Sequence, residues 1–167
     1  NVAHNLTGLG AKVTLIGRIG NDSEGKILKK HLSNEHVDTR GIFVEKRIPT
    51  ICKTRVIAQH QQIVRIDREK IDKTGSKEVN QKICNFVQKN ITAFDAVIIS
   101  DYGKGLITPS LVNFLRAQAL ANKKIIVVDP KVEHFGYYRN VTAITPNLKE
   151  AENAIRNIKI TSKSTET

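Results

Sequence analysis

The residues of this chain best suited to chemistry fall in three polar clusters, each directly after a short apolar run. Ser100-Asp101-Tyr102-Gly103-Lys104-Gly105 follows residues 96–99, Asp129-Pro130-Lys131 follows residues 125–128, and Thr145-Pro146-Asn147-Leu148-Lys149-Glu150 follows Ala143 and Ile144. A fixed lysine can neutralise phosphoryl oxygens, and glycines let backbone amides approach an anion closely. A carboxylate at a helix start can organise hydrated Mg2+ beside a bound phosphate. Each cluster alone has an ordinary explanation. Asp and Pro favour turns, and Asn147 with Glu150 three residues on has the form of a capping box, which satisfies orphan helix amides without any ligand. Three such clusters in one chain argue for a site that handles phosphate or a metal.

The elements that must position them can be read from the apolar pattern. Short Val- and Ile-rich runs with helical periodicity between them predict parallel strands buried on both faces, and in open α/β sheets ligands bind at the carboxyl ends of such strands. Thr108 and Pro109 predict a capped helix start, with Leu111, Val112, Leu115 and Leu120 on its buried side. Helical spacing also runs over residues 77–91 through Val79, Ile83, Phe86 or Val87, and Ile91. At the amino end, Val2, Leu6 and Leu9 share one helical face that closes on Gly10. Residues 12–17 read as a strand and 17–22 as the turn after it, with Asp22 or Ser23 capping a helix that carries Ile27, Leu28 and Leu32.

Between residues 41 and 67 the pattern changes to β-branched stretches. Residues 51–58 and 63–67, separated by Gln59-His60-Gln61-Gln62, read as a hairpin standing apart from the main sheet. Alternation puts Lys53 and Arg55 on one face of its first strand, and Arg65 and Asp67 on one face of its second. So many cations suit an anion. The final stretch, 158–167, is polar and reads as a frayed or truncated end.

Composition narrows the partners. The 167 residues hold 27 Lys and Arg against 16 Asp and Glu, a net charge of +11. Most of the basic residues, such as Lys26, Lys29, Lys30, Lys123 and Lys124, are scattered along helical faces, and the few aromatics do not interleave with them. That favours small anions over nucleic acid. No apolar run approaches the ~20 residues that span a bilayer, so no membrane partner is expected. Cys52 and Cys84 lack metal-ligand spacing, as do His4, His31, His36, His60 and His134, which read as surface or packing histidines; a reduced cytoplasmic location is expected. Gly-x-Ser-x-Gly, His-Glu-x-x-His, Walker A and Gly-x-Gly-x-x-Gly motifs are absent.

Read together, the segments resemble the carbohydrate kinases of the ribokinase (PfkB) family over residues 1–154, and within it the heptose 7-phosphate kinases. Asn1-Val2-Ala3-x-Asn5-Leu6-x-x-Leu9-Gly10 is similar to the family's first signature helix. Ile51-Cys52-Lys53-Thr54-Arg55-Val56 with Gln61-Gln62-Ile63-Val64-Arg65-Ile66-Asp67 resembles the heptose-kinase lid, and the three polar clusters match in order and spacing. The resemblance implies a three-layer α/β/α sandwich of ribokinase type, with residues 1–167 a partial kinase domain and 41–68 its β-lid, and a homodimer through that lid. It implies ATP- and Mg2+-dependent phosphorylation of D-glycero-D-manno-heptose 7-phosphate at O1, giving the 1,7-bisphosphate for lipopolysaccharide core synthesis.

Carried over position by position, Asn147, Leu148, Lys149 and Glu150 would lie at the nucleotide, with Glu150 helping to hold hydrated Mg2+. Asn5 and Asp101 would face the sugar. Lys53, Arg55, Arg65, Lys104 and Lys131 would serve its phosphate groups, with Asp129 on the same side. The family's Gly-Gly pair, its Gly-Ala-Gly-Asp segment with the catalytic base, and the nucleotidyltransferase domain fused to some members have no counterpart here. The expectation is an internal fragment, inactive by itself, whose base lies beyond Thr167. Two alternatives are a kinase for another sugar phosphate and a non-catalytic module that binds nucleotide or sugar phosphate.

Overall fold

The computed structural model describes residues 1–70 and 76–163, with side chains as far as Arg156. The chain divides into two units, Asn1–Ile83 and Cys84–Thr167. The polar end that the sequence marks as frayed falls largely outside the described side chains.

The first unit opens with helix α1 (Val2–Gly8), which buries Ala3. Leu9 does not share a buried face as its spacing suggests: the helix ends at Gly8, Leu9 becomes the C-cap, and its side chain is 84% exposed. Strand β1 is Gly17–Gly20, where the sequence suggested a turn, and it pairs in parallel with β2 (Ile42–Glu45) from Gly17 opposite Ile42 to Gly20 opposite Glu45. Residues 12–16, read as strand, contribute only a bridge from Thr14 to Asp38. Pairing decides this, since β1 bonds a partner that a local pattern cannot reveal.

Gly20 sits where a Cβ would come within 2.5 Å of the Thr50 backbone nitrogen, so no larger residue fits. Asp22 caps helix α2 (Ser23–Asn34) by accepting from the Gly25 amide at 3.0 Å. The same carboxylate accepts from the Thr50 hydroxyl at 2.6 Å and the Thr50 amide at 2.8 Å, while Gly20 N donates to Thr50 Oγ1 at 2.9 Å. Those bonds, led by the Thr50 hydroxyl, hold the Asp22 carboxyl below its ordinary pKa. The helix start is thereby fastened to the segment that enters the hairpin.

The stretch 41–68 holds two different pairings. Ile42–Glu45 belongs with β1, and only β3 (Cys52–Ala58) and β4 (Gln61–Arg68) pair antiparallel. Gln59 and His60 both take positive φ, 48° and 64°, which is the geometry of a two-residue hairpin turn. β4 therefore begins at Gln61, two residues earlier than its first apolar residue suggests.

Helix α3 (Lys77–Asn90) leads from the first unit into the second and buries Val79, Ile83 and Val87, so Val87 and not Phe86 completes its apolar face. In the second unit β5 (Ala96–Ser100), β6 (Ile125–Asp129) and β7 (Ala143–Ile144) form one parallel sheet in the order β5-β6-β7, with Ser100 opposite Asp129 and Val128 opposite Ile144. Thr108 caps helix α4 (Pro109–Ala121) through the Leu111 amide at 3.3 Å. The helix buries Leu111, Val112, Leu115 and Ala119, and the core of this unit adds Ile99, Ile126 and Val128.

Two expectations fail here. Leu120 is 79% exposed because the helical row from Leu111 through Leu115 reaches Ala119, one residue short of it. β5 and β6 are buried on one face only: Ile98 and Ile125 point to the other and are 46% and 52% exposed, and both residues of β7 are exposed.

Candidate functional site

Because β5, β6 and β7 are parallel neighbours, their carboxyl ends open at one edge, and the three polar clusters meet there as the sequence suggested. Backbone bonds continue the pairing into them: Asp101 N donates to Asp129 O at 3.0 Å, and Thr145 N to Val128 O at 2.9 Å. The Ser100 hydroxyl donates to Asp129 Oδ2 at 3.3 Å. Asp129 is half-buried and Pro130 buried.

Lys131 leaves β6 and lays its aliphatic stem across the neighbouring loop. A Cβ on Gly103 would lie 3.3 Å from Lys131 Cγ, and Gly103 has φ +64°, a conformation that glycine adopts without strain. The Lys131 ammonium stays accessible, 3.7 Å from Glu133 Oε2. Lys104, half-buried, follows Gly103 in the same loop. Two lysines and a glycine-rich turn at one sheet edge can receive an anion.

Asp101, which the resemblance sets toward the sugar, is already held by the chain. Its side chain is 1% exposed, and its oxygens already accept from three donors: Gly103 N to Oδ1 at 2.7 Å, and the Tyr138 hydroxyl and His134 Nδ1 to Oδ2, the last at 2.5 Å. His134 is therefore no mere surface histidine. It stacks on Tyr137, with ring centroids 4.6 Å apart. Burial, followed by the bond to the anionic Asp101, raises the Tyr138 phenol above its ordinary pKa. Sequence reasoning passed over His134 and Tyr138, although their four-residue spacing just after Lys131 was a usable signal for a shared face.

At the third loop the ordinary explanation of the motif is realised. Asn147 Oδ1 accepts from Glu150 N at 3.0 Å and Glu150 Oε2 accepts from Asn147 N at 2.8 Å, a reciprocal capping box at the start of helix α5 (Leu148–Lys163). Leu148 is 75% exposed and Lys149 is exposed. The cap commits the Glu150 amide and Glu150 Oε2 and leaves the other Glu150 oxygen outside it.

The remaining candidates belong to the first unit. Asn5 is exposed on α1, beside a shallow pocket lined by His4, Gly8 and Leu9. On the hairpin, Lys53 stands opposite Asp67 and Arg55 opposite Arg65, so all four share one face. Asp67 Oδ2 meets Arg65 at 2.9 Å and Lys53 at 3.8 Å. Two of the three cations thus share one carboxylate, and Arg55 and Arg65, two like charges, stand directly opposite, which is unfavourable until an anion joins them. The other face carries Val56, Val64 and Ile66, all exposed.

Among the described residues no group of three or more His, Cys, Asp or Glu could hold a metal ion, and no helix is long and apolar enough to cross a membrane.

Comparison with known proteins agrees with this architecture. A phosphofructokinase-2 mutant from Escherichia coli superposes with a TM-score of 0.70 at 17% identity, over 93% of this chain and 50% of its own. A carbohydrate kinase from Agrobacterium tumefaciens superposes with a TM-score of 0.69 at 16% identity, over 91% of this chain and 49% of its own. These likenesses establish a ribokinase-like α/β fold. At the sequence level the chain is 46% identical over 154 residues to a protein of Trichlorobacter lovleyi named "Bifunctional protein HldE", covering 92% of this chain and 31% of the relative. A protein of the same name from Helicobacter pylori (strain J99) is 40% identical over 155 residues, 93% of this chain and 33% of the relative. The chain spans about a third of the length of these curated relatives. The model of the pfkB family carbohydrate kinases matches residues 1–165, nearly every residue from α1 through α5, and the chain belongs to that family.

Proposed function

We propose that this chain carries the nucleotide and sugar-phosphate edge of a kinase that phosphorylates D-glycero-D-manno-heptose 7-phosphate at O1, using ATP and Mg2+, on the route to lipopolysaccharide core sugars. The observation that carries the proposal is the meeting of residues 101–105, 129–131 and 145–150 at the carboxyl ends of three adjacent parallel strands. The similarity to proteins named HldE supports the choice of sugar.

Phosphoryl transfer needs positioning and charge neutralisation more than covalent chemistry. Lys131 and Lys104 supply positive charge at the strand ends, and the amides that open α5, from Leu148 onward, face the nucleotide. Glu150 has one oxygen committed to the cap, and the other would help to hold hydrated Mg2+. Mg2+ supplies charge neutralisation between the phosphoryl groups when bound. On the hairpin, Lys53, Arg55 and Arg65 attract the 7-phosphate of the sugar, and the exposed Val56, Val64 and Ile66 suit a homodimer through this lid. The reaction is assigned to the cytoplasm, where ATP is available.

The test is a thermal-shift panel with Mg·ATP and, separately, heptose 7-phosphate, fructose 6-phosphate and ribose 5-phosphate. Heptose 7-phosphate should raise the melting temperature most. A larger shift with another sugar phosphate would move the assignment to that sugar. Binding of Mg·ATP and heptose 7-phosphate without any phosphoryl transfer from ATP to the sugar would favour a non-catalytic binding module.

A further inference from the structure

Asp101 is buried and held by three donors of the chain itself. An ionised carboxylate only accepts, so His134 Nδ1 must carry a proton to bond Oδ2, in both the neutral and the charged imidazole. The same oxygen takes the Tyr138 hydroxyl, and Oδ1 takes the Gly103 amide. Oδ1 keeps a second lone pair, but the side chain is 1% exposed to solvent, so a sugar hydroxyl has no open path to it.

What the three donors share is their place in the fold. Gly103 belongs to the loop after β5, while His134 and Tyr138 lie in and just after the 3-10 turn Val132–Tyr137 that follows β6. Lys131, which enters that turn, rests its stem on Gly103. One buried carboxylate therefore ties together the two segments that carry Lys104 and Lys131.

We infer that Asp101, His134 and Tyr138 are positioning residues: they lock the 101–105 loop against the turn after β6, fixing Lys104 and Lys131 for a phosphorylated ligand, and Asp101 does not contact the sugar. This inference rests on the sugar-phosphate reading for its ligand but not for its geometry. His134 contributes through Nδ1, its ring stacked on Tyr137. Tyr138 contributes through a hydroxyl held neutral by burial.

The test uses the 167-residue chain and its variants Asp101→Asn, His134→Ala, His134→Asn, Tyr138→Phe and the double variant Asp101→Asn/His134→Ala. Calorimetric titration with heptose 7-phosphate should show affinity roughly tenfold weaker for His134→Ala and Tyr138→Phe. It should recover in His134→Asn, whose side-chain amide can donate from nearly the Nδ1 position. The double variant should bind within about threefold of Asp101→Asn, because groups acting through one link are not additive. Weakening in Asp101→Asn alone, with His134→Ala and Tyr138→Phe like the parent, would overturn the inference and return Asp101 to the sugar. A loss that tracks melting temperature and is not rescued by His134→Asn would reduce the cluster to packing, and would overturn it too.

If the parent binds no heptose 7-phosphate, the substrate reading fails, and 15N NMR of the same proteins decides the inference. The His134 ring should then show a protonated Nδ1 in the parent, and the Gly103 amide and Lys131 resonances should move together in His134→Ala and Tyr138→Phe. Unmoved Gly103 and Lys131 resonances would refute the lock.

Discussion

Tyr138 donates its hydroxyl proton to Oδ2 of Asp101, a buried phenol bonded to a buried carboxylate. Burial first, and then the negative charge of Asp101, push the phenol above its ordinary pKa. The folded chain keeps this proton at a pH where the unfolded chain, with a phenol near pH 10, has begun to release it. The stability contributed is intact below about pH 10 and falls as pH rises beyond it. In an absorbance titration of the three tyrosines, one ionisation step should be late and coincide with alkaline unfolding. Tyr138→Phe should remove that step.

Gly103 combines φ +64° with the stem of Lys131 lying 3.3 Å from where a Cβ would be. Gly103→Ala should cost about 1–2 kcal/mol, the strain of a left-handed residue that has a side chain. The lysine stem can yield, so folding should survive, and urea denaturation should show a lower midpoint with an unchanged slope.

Arg18 and Glu45 form an ion pair across β1 and β2 at 3.0 Å, with side chains only 6% and 4% exposed. Removing the guanidinium strands the buried Glu45 carboxylate, so Arg18→Ala should destabilise the chain by about 3–5 kcal/mol. Replacing both by apolar residues of similar volume should restore most of that loss. Chemical denaturation of the two single variants and the double variant checks this.

The capping box of Asn147 and Glu150 has a structural role whatever it binds. Asn147→Ala should cost about 1 kcal/mol of stability even in the absence of nucleotide, whereas Asn147→Asp, which keeps the cap oxygen, should cost far less. Thermal denaturation of both variants separates the cap from any ligand effect.

How much of this was legible in the sequence depended on whether a signal was local. The caps at Asp22, Thr108 and Asn147 were readable because a capping residue and its amide lie within three positions. The parallel strands and the polar edge they create were readable from Val- and Ile-rich runs ending in polar clusters. β1 was misplaced because its identity depends on pairing with Ile42–Glu45, more than twenty residues away. Exposure of Ile98 and Ile125 was unreadable, since a run of apolar residues does not say which face will be covered. Asp101 stood out in the sequence, but His134 and Tyr138 did not, because these two donors come from a different loop.

The central claim is that the three loops at the ends of β5, β6 and β7 form one site for phosphorylated ligands. Residue-resolved 1H-15N NMR during titration of the chain with Mg·ATP, and then with heptose 7-phosphate, tests it most directly. The account predicts that saturable amide shifts for Mg·ATP concentrate at Leu148, Lys149, Glu150 and Ala151, and those for heptose 7-phosphate at Gly103, Lys104, Gly105 and Lys131. Shifts centred on the opposite end of the sheet, at the cleft lined by Arg116, Lys124 and Thr142, or no saturable shifts with either ligand, would contradict it.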